Sequence, residues 1–313
     1  MRLSLHICVQ KTFISLFGGI GGFDLALTDR GWECLNYVEI DSYACEIYNK
    51  NFGTSYAPQD IKKIHELPKH TLLCAGFPCQ AFSTAGMRRG FADARGTLFF
   101  EIVRLVRRCR PKILVLENVK GLLNHEEGFT FKVILRELDG VGYDVEWQVL
   151  NSKDFGVPQN RERIYIVGHL REGCRRQVFP FEGSSSSDAQ DRRLPIERVY
   201  YSRNQHSRIY GTGGISPTIQ TGTIPVVLVA QNPFTMVFHY PDPERRYLSN
   251  LSMRKLTPVE CERLQGFPDG WTEGVSDTQR YKQLGNAVTV PVIEALVSRI
   301  ERAYGLRLEK VSK

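Results

Sequence analysis

A doubly wound α/β fold with a mostly parallel sheet and a second, smaller unit is the class this sequence predicts, and three observations carry the prediction. Short apolar, β-branched runs alternate with amphipathic stretches from Thr12 to about Leu170, which is the rhythm of βαβ units. Two of those runs, "TLLCAGF" (71–77) and "KILVLENV" (112–119), are apolar enough to be central parallel strands, buried on both faces where helices cover the sheet. Beyond residue 170 the rhythm stops. "REGCRRQVFPFEGSSSSDAQDRRLP" (171–195) is polar, serine-rich and broken by prolines and glycines, the composition of a linker or long surface loop.

The elements follow in order. "TFISLF" (12–17) reads as the first strand, "GFDLALTDRG" (22–31) as a helix with a glycine stop, and "CLNYVEID" (34–41) as the second strand. A weak third strand is expected to end at Asp60 in "PQDIKKI". In "GTLFFEIVRLVRRCRP" the residues Leu98, Phe99, Ile102, Leu105 and Val106 share one helical face, with Arg104, Arg107 and Arg108 off it. The second unit reads as short strands, "TIPVVLVAQ" and "TMVFHY", in a mainly β or irregular arrangement. Helical character returns at "TPVECERLQGF" (257–267), which opens with a Thr-Pro helix start. It resumes at "VTVPVIEALVSRIERAYG" (288–305), with Val292, Ala295, Leu296, Ile300 and Ala303 on one face. The expected division is residues 1–172 plus 281–313 in the large unit and 173–280 in the small one. No internal repeat is present.

Composition narrows the function classes. The chain has 313 residues, 42% hydrophobic and 24% charged, enough for a large core and far from a disordered composition. Its eight cysteines are scattered without a CxxC pair, so neither a disulfide framework nor a metal site is indicated, and a reducing, cytoplasmic setting is expected. The opening "MRLSLHICVQK" is too short and polar for a secretory core, and no apolar run is long enough to span a membrane. The net charge of +7, carried partly by Arg-Arg pairs at 88–89, 107–108, 175–176, 192–193 and 245–246, suits a polyanionic partner. Such pairs also occur as plain solvated surface.

Four places could carry chemistry, each with a purely structural reading beside it. "FGGIGG" (17–22) lies at a strand-to-helix junction, where missing side chains let a ligand approach the backbone, or simply form a turn. Glu39, about twenty residues on, sits where a carboxylate can take ribose hydroxyls, and Asp60 with Ile61 would add a third contact and an apolar face for an adenine. Cys79 follows Pro78 at the carboxyl end of a central strand, where α/β proteins place active sites. It is either a buried turn cysteine or a nucleophile. Glu117 ends the neighbouring strand as a helix cap or as a general acid whose pKa burial would raise. Arg161 and Arg163 in "QNRERIYIVG" alternate along an extended segment and would point to one side, at a solvated edge or into the same site.

Taken together, "FGGIGG", "GFPCQAFSTAG", "ENVKGLL", "QNRERIYIVG", "RKLTPVECERLQGFP" and "QLGNAVTVPV" resemble, in order and spacing, the motifs of the DNA cytosine-5 methyltransferases of bacterial restriction–modification systems. The resemblance runs from Thr12 to Ala303 apart from about 171–250, where that family's sequence-choosing region falls. It implies an S-adenosylmethionine-dependent, Rossmann-like methyltransferase fold with a target-recognition unit. It further implies Cys79 as the nucleophile that adds to C6 of a flipped-out cytosine, Glu117 at N3, and Arg163 at the O2 edge with Arg161 nearby. Phe17, Gly19, Gly21, Gly22, Glu39, Asp60, Ile61, Pro78, Leu98 and Asn286 match positions that line the family's cofactor pocket. "QAFSTAGMRRGFADAR" (80–95) would be a lid that closes on DNA, with Ser83, Arg88, Arg89 and Arg95 gripping it. In "SPTIQTGTIP" (216–225) Thr218, Gln220 and Thr221 are the candidates for base or backbone contact.

The partners so implied are double-stranded DNA and a restriction endonuclease acting on the same site without a stable complex. The chain itself would be a monomer in the cytoplasm of a bacterial or phage-infected cell. Three rivals stand beside this reading. A transfer RNA methyltransferase of the same chemistry would carry Cys-Phe-Thr in the variable part, whereas Cys174 is followed by two arginines. A silent DNA-binding regulator would not need all of Cys79, Glu117, Arg161 and Arg163. A nicotinamide dehydrogenase leaves the Pro-Cys and Glu-Asn-Val motifs without a role.

Overall fold

The computed structural model describes residues 10–78, 98–171, 177–181, 198–200, 209–210, 216–217, 226–230 and 251–306. The large unit opens with β1 (Thr12–Leu16), α1 (Gly22–Thr28), β2 (Glu33–Val38), α2 (Ser42–Phe52) and β3 (Leu72–Gly76). It continues through α3 (Leu98–Cys109), β4 (Ile113–Val119), α4 (Phe129–Gly140), β5 (Tyr143–Asn151), the short β6 (Gln159–Asn160) and β7 (Glu162–Leu170). The six-stranded sheet has the order β2-β1-β3-β4-β7-β5. The pairings among β2, β1, β3 and β4 are parallel, while β7 runs antiparallel to both β4 and β5. This is the doubly wound, mostly parallel arrangement that the alternation predicts.

The two-sided burial of the central strands is visible residue by residue. Leu72 and Cys74 of β3 join one apolar cluster and Leu73 and Ala75 the other, because successive side chains of a strand face opposite ways. The cluster on one face is completed by α3 and α4, through Phe99, Ile102, Leu105, Phe131 and Ile134. The other is completed by α1 and by the last helix, α7 (Val290–Tyr304). The buried stripe of α7 is Val292, Ile293, Leu296, Val297 and Ile300. Glu301 fixes that return to the start of the chain: it accepts from Lys11 Nζ at 2.8 Å, from Arg30 Nη2 at 2.6 Å and from Trp32 Nε1 at 3.0 Å.

Two expectations change. No third strand leads to Asp60; Asp60 instead caps the short 3-10 turn Ile61–Lys63, its carboxylate accepting from Lys62 N at 3.0 Å. The preceding segment holds Pro58, which has no N–H to give a ladder, and makes one bond to the sheet, from Gln59 N to the Glu39 carbonyl at 2.6 Å. The second change concerns the division at residue 280. Leu256, Cys261, Leu264, Phe267 and Trp271, placed with the small unit by the sequence, pack in the core cluster of α1 and α7. Trp271 Nε1 donates to the Ile20 carbonyl at 2.9 Å and Gln159 Nε2 to the Leu264 carbonyl at 2.8 Å. The helix α5 (Pro258–Gln265), opened by a Thr257/Glu260 capping box as the Thr-Pro start predicts, is too short to bury its apolar face alone and uses the large core.

α6 (Asp277–Asn286) then leads into α7. Between residues 198 and 255 the described backbone comprises β8 (Arg198–Tyr200), β9 (Ile209–Tyr210), β10 (Ser216–Pro217), β11 (Val226–Ala230) and β12 (Leu251–Lys255). Four of them form a sheet in the order β12-β11-β9-β8, and β10 pairs with β6. β11 falls within the expected "TIPVVLVAQ", while "TMVFHY" lies outside the described residues.

Candidate active site

At the carboxyl end of β1 the chain turns sharply. Phe17 has φ 53 and Gly21, the N-cap of α1, has φ 86, a left-handed region where a side chain is strained. A Cβ on Gly21 would also lie 2.4 Å from the Phe52 ring, so glycine is required there on both counts. Glu39 faces this loop from the end of β2. Its Oε2 accepts from Gly19 N at 3.0 Å, and its Oε1 from Ile40 N at 2.8 Å and Asp41 N at 2.9 Å. The carboxylate is thus held in one orientation, and Oε2, with a single donor, keeps capacity for a hydroxyl.

Of the other expected cofactor residues, Asp60 is the one tied to this end of β2. The Gln59 bond to the Glu39 carbonyl brings Asp60 beside the end of β2. Phe17 and Leu98 are half-buried against the cluster that contains Ile61. Ile61 itself is 4% exposed, whereas Ile40, which sequence reasoning left without a role, is 67% exposed directly after Glu39. An isoleucine left open to solvent beside a fixed carboxylate is the apolar face that an adenine would need. Its signal in the sequence was an aliphatic residue placed past the last buried strand position. Pro78 and Asn286 are both exposed. The helix that ends at Asn286 is tied to this end of the sheet by Lys282 Nζ, 2.8 Å from Asp41 Oδ2. An oriented ribose acceptor, a glycine turn and an exposed apolar neighbour fit an adenosyl group.

The next two strands build a second focus. Gly76 of β3 stands opposite Glu117 of β4, and a Cβ at Gly76 would lie 3.5 Å from Glu117 Oε2, an ordinary contact distance. Glu117 is 7% exposed. Arg163, on β7, places its Nε 3.1 Å from Glu117 Oε1. Burial raises the Glu117 pKa above the ordinary carboxylate value, outweighing the opposing pull of Arg163 and Arg161. Asn118, another residue given no role from sequence, donates from Nδ2 to the Phe77 carbonyl at 2.9 Å. It therefore pins the backbone that leads to Pro78. A polar pair closing an otherwise apolar strand was the available sign.

Arg161 departs from the expected alternation. It lies between β6 and β7, is 2% exposed, and donates from Nη2 to the carbonyls of Gly285 at 3.1 Å and Ala287 at 2.8 Å. Those carbonyls belong to the end of α6, where helical acceptors need outside donors. Arg161 stays within electrostatic reach of Glu117, and burial with the neighbouring Arg163 pushes its own pKa down to about 10. Hydrogen bonds from its Nη2 go to the two peptides flanking Asn286, so Arg161 links the neighbourhood of Glu117 and Arg163 to the end of α6.

Cys79, the segment 80–95 with Ser83, Arg88, Arg89 and Arg95, and Thr218, Gln220 and Thr221 lie outside the described residues. The backbone just before Thr218 is anchored, Ser216 pairing with Gln159 and Pro217 with Asn160. Among the described residues no group of acidic, histidine or cysteine side chains is arranged to hold a metal, and no helix is long and apolar enough to cross a membrane.

A sequence model described as the C-5 cytosine-specific DNA methylases matches residues 11–191 and 182–302. The chain belongs to this family. The methylase is 37% identical to the Type II methyltransferase M.HhaI of Haemophilus parahaemolyticus, over 92% of this chain and 93% of the relative. It is 39% identical to M.HpaII of Haemophilus parainfluenzae, over 94% and 90%. The fold is shared with the S. pombe Dnmt2 methyltransferase at a TM-score of 0.68 and 21% identity, covering 93% of this chain and 98% of that one. The methylase transfers a methyl group to carbon 5 of cytosine in DNA, and its methyl donor is S-adenosylmethionine. Transfer RNA, a silent site and nicotinamide chemistry are set aside by that membership.

Proposed function

We propose that Cys79 is the nucleophile and that the Glu117–Arg163 pair is the group that makes its addition to cytosine possible. The observation that carries this reading is the placement of the buried Glu117 and the half-buried Arg163, 3.1 Å apart, beside the end of β3 from which Pro78 leads to Cys79. The described cysteines of the large unit support it by contrast. Burial pushes the thiols of Cys34, Cys45, Cys74, Cys109 and Cys261 up, which removes the thiolate that nucleophilic attack requires.

In the proposed sequence the Cys79 thiolate forms a bond to C6, and the C5–C6 pair of electrons moves into the ring. Glu117, whose burial raises its pKa and so favours the protonated form, gives its proton to N3, while Arg163 holds the charge at O2. C5 is then a carbon nucleophile. Glu39, the glycine turn and Ile40 would hold S-adenosylmethionine, whose methyl group would pass to C5 as its bond to sulfur breaks, leaving S-adenosylhomocysteine. Loss of the C5 proton to a base, for which water suffices, restores the C5–C6 double bond and expels the thiolate, and N3 returns its proton to Glu117. Because C6 is shielded inside a duplex, the target base must leave the stack.

On the same reading the second unit, carrying Thr218, Gln220 and Thr221, selects the DNA sequence. The basic segment after Cys79 closes on the backbone, and the chain acts as a cytoplasmic monomer that protects DNA from an endonuclease of the same specificity. Bisulfite sequencing of a plasmid from a methylation-free host expressing the chain tests this. Protected cytosines confined to one short motif are expected; protection without a motif removes the specificity and the protective role.

A further inference from the structure

Asp24 is a carboxylate with no place in the scheme above, and it lies directly beneath the glycine turn. It sits in the first turn of α1, and solvent does not reach it. Its Oδ2 accepts from the Ser15 hydroxyl at 2.7 Å, and its Oδ1 from the Tyr48 hydroxyl at 2.9 Å and the Cys34 thiol at 3.5 Å. The groups facing it are therefore Ser15 from β1, Cys34 from β2 and Tyr48 from α2. Cys74 from β3, with Tyr37 and Tyr56 further off, completes the set. Every one of these is neutral at ordinary pH, and among the described residues no cation pairs with Asp24. A buried carboxylate without a cation is costly, so its retention needs a reason beyond packing.

That reason is legible in what its donors touch. A Cβ built on Gly18 would lie 2.9 Å from Ser15 Oγ and 2.5 Å from the Tyr37 ring, and one on Gly21 would lie 3.1 Å from the Tyr48 ring. The turn thus rests on Ser15, Tyr37 and Tyr48. Tyr48 stacks on Tyr37 with ring centroids 3.7 Å apart, and the Tyr37 hydroxyl donates to the Gly19 carbonyl at 2.7 Å. One carboxylate orders Ser15 and Tyr48 directly and Tyr37 through the stack, while Phe52 also packs against Gly21. Gly19 is meanwhile held from its other side by Glu39.

We propose that Asp24 is a positioning residue for the cofactor turn, and that its ionised form, accepting from Ser15 and Tyr48 together, holds the turn in its binding shape. Protonation would turn one acceptor oxygen into a donor and force the hydroxyl of Ser15 or Tyr48 to rotate away. Burial lifts this carboxyl to about 6, so the change falls in a pH range where the protein can be handled. The inference rests on the reading that the glycine turn and Glu39 carry the cofactor.

The test is calorimetric titration with S-adenosylhomocysteine, which has no group titrating between pH 5 and 8, on the full chain and its variants. For the unaltered chain the dissociation constant should rise on the order of tenfold from pH 7 to pH 5. Asp24→Asn should bind more weakly at pH 7 and show no such rise. Tyr48→Phe, which removes a donor to the charged form but keeps the carboxylate, should move the midpoint of the rise to higher pH, an effect that a merely structural role would not produce. Circular dichroism at each pH checks the fold, and if Asp24→Asn does not fold, the Tyr48→Phe midpoint decides alone. A rise retained in Asp24→Asn, or an unmoved midpoint in Tyr48→Phe, overturns the proposal. Glu39→Ala is run alongside; unchanged binding by that variant would instead overturn the assignment of the cofactor to this turn.

Discussion

In the proposed function Glu117 and Cys79 divide the chemistry at the scale of single side chains. The carboxyl is protonated more readily than an exposed one because the strand that carries it is buried on both faces, and its partner Arg163 tempers the effect without reversing it. Replacing Glu117 with Gln preserves shape but removes the transferable proton. Turnover at saturating substrates should fall on the order of a hundredfold or more, measured as tritiated methyl incorporation into DNA. An undiminished rate would mean that N3 receives its proton from elsewhere. Cys79→Ser should abolish methylation while cofactor affinity is largely kept. A duplex with 5-fluorocytosine at the target sharpens this: fluorine cannot leave as a cation, so the adduct should persist on a denaturing gel with Cys79 and be absent with Ser.

At the scale of elements, Arg161 is the residue that most changes meaning between sequence and structure. Two residues from Arg163 in an extended stretch, it reads as a second catalytic arginine. In the fold the chain breaks between β6 and β7, and its guanidinium ends at the carbonyls of Gly285 and Ala287. Arg161→Met should leave those buried acceptors without their donor and cost about 2–4 kcal/mol, read as a lower urea midpoint. Because the same carbonyls flank Asn286, the Michaelis constant for S-adenosylmethionine should rise more than the turnover number falls. A variant that loses turnover alone would assign Arg161 to the cytosine instead. Asn118 and α5 teach the same lesson: a polar side chain or a short helix has neighbours that no spacing rule foretells.

Across the whole molecule, stability and ligand binding pull against each other at Asp24. Its carboxyl titrates near 3.8 when unfolded and near 6 in the fold. The stabilising contribution is therefore complete below pH 3.8 and is lost as pH rises through 6. The folded state gives up about 3 kcal/mol over that window. Asp24→Asn does not titrate, so its stability relative to the unaltered chain should increase by up to about that amount between pH 4 and pH 7 in urea unfolding followed by circular dichroism. A constant difference would mean that the carboxyl keeps its ordinary pKa. Glu301 works in the opposite sense: Lys11, Arg30 and Trp32 hold its pKa down, so its contribution is present above the ordinary value and lost in acid.

The sequence by itself determined the class of fold and the strands that had to be central. Those properties are local: an apolar run needs burial on both faces, and a glycine turn needs absent side chains. Six ordered motifs also sufficed to point to the family. Only the tertiary structure decided that the segment from Leu256 to Trp271 belongs to the large core, that Asp60 caps a turn rather than ending a strand, that Ile40 rather than Ile61 is open to solvent, and that Asp24 underlies the glycine turn. Each of these depends on contacts between residues far apart in the chain. Burial, hydrogen-bond partners and pKa are set by what the fold brings alongside, and a linear pattern does not contain that.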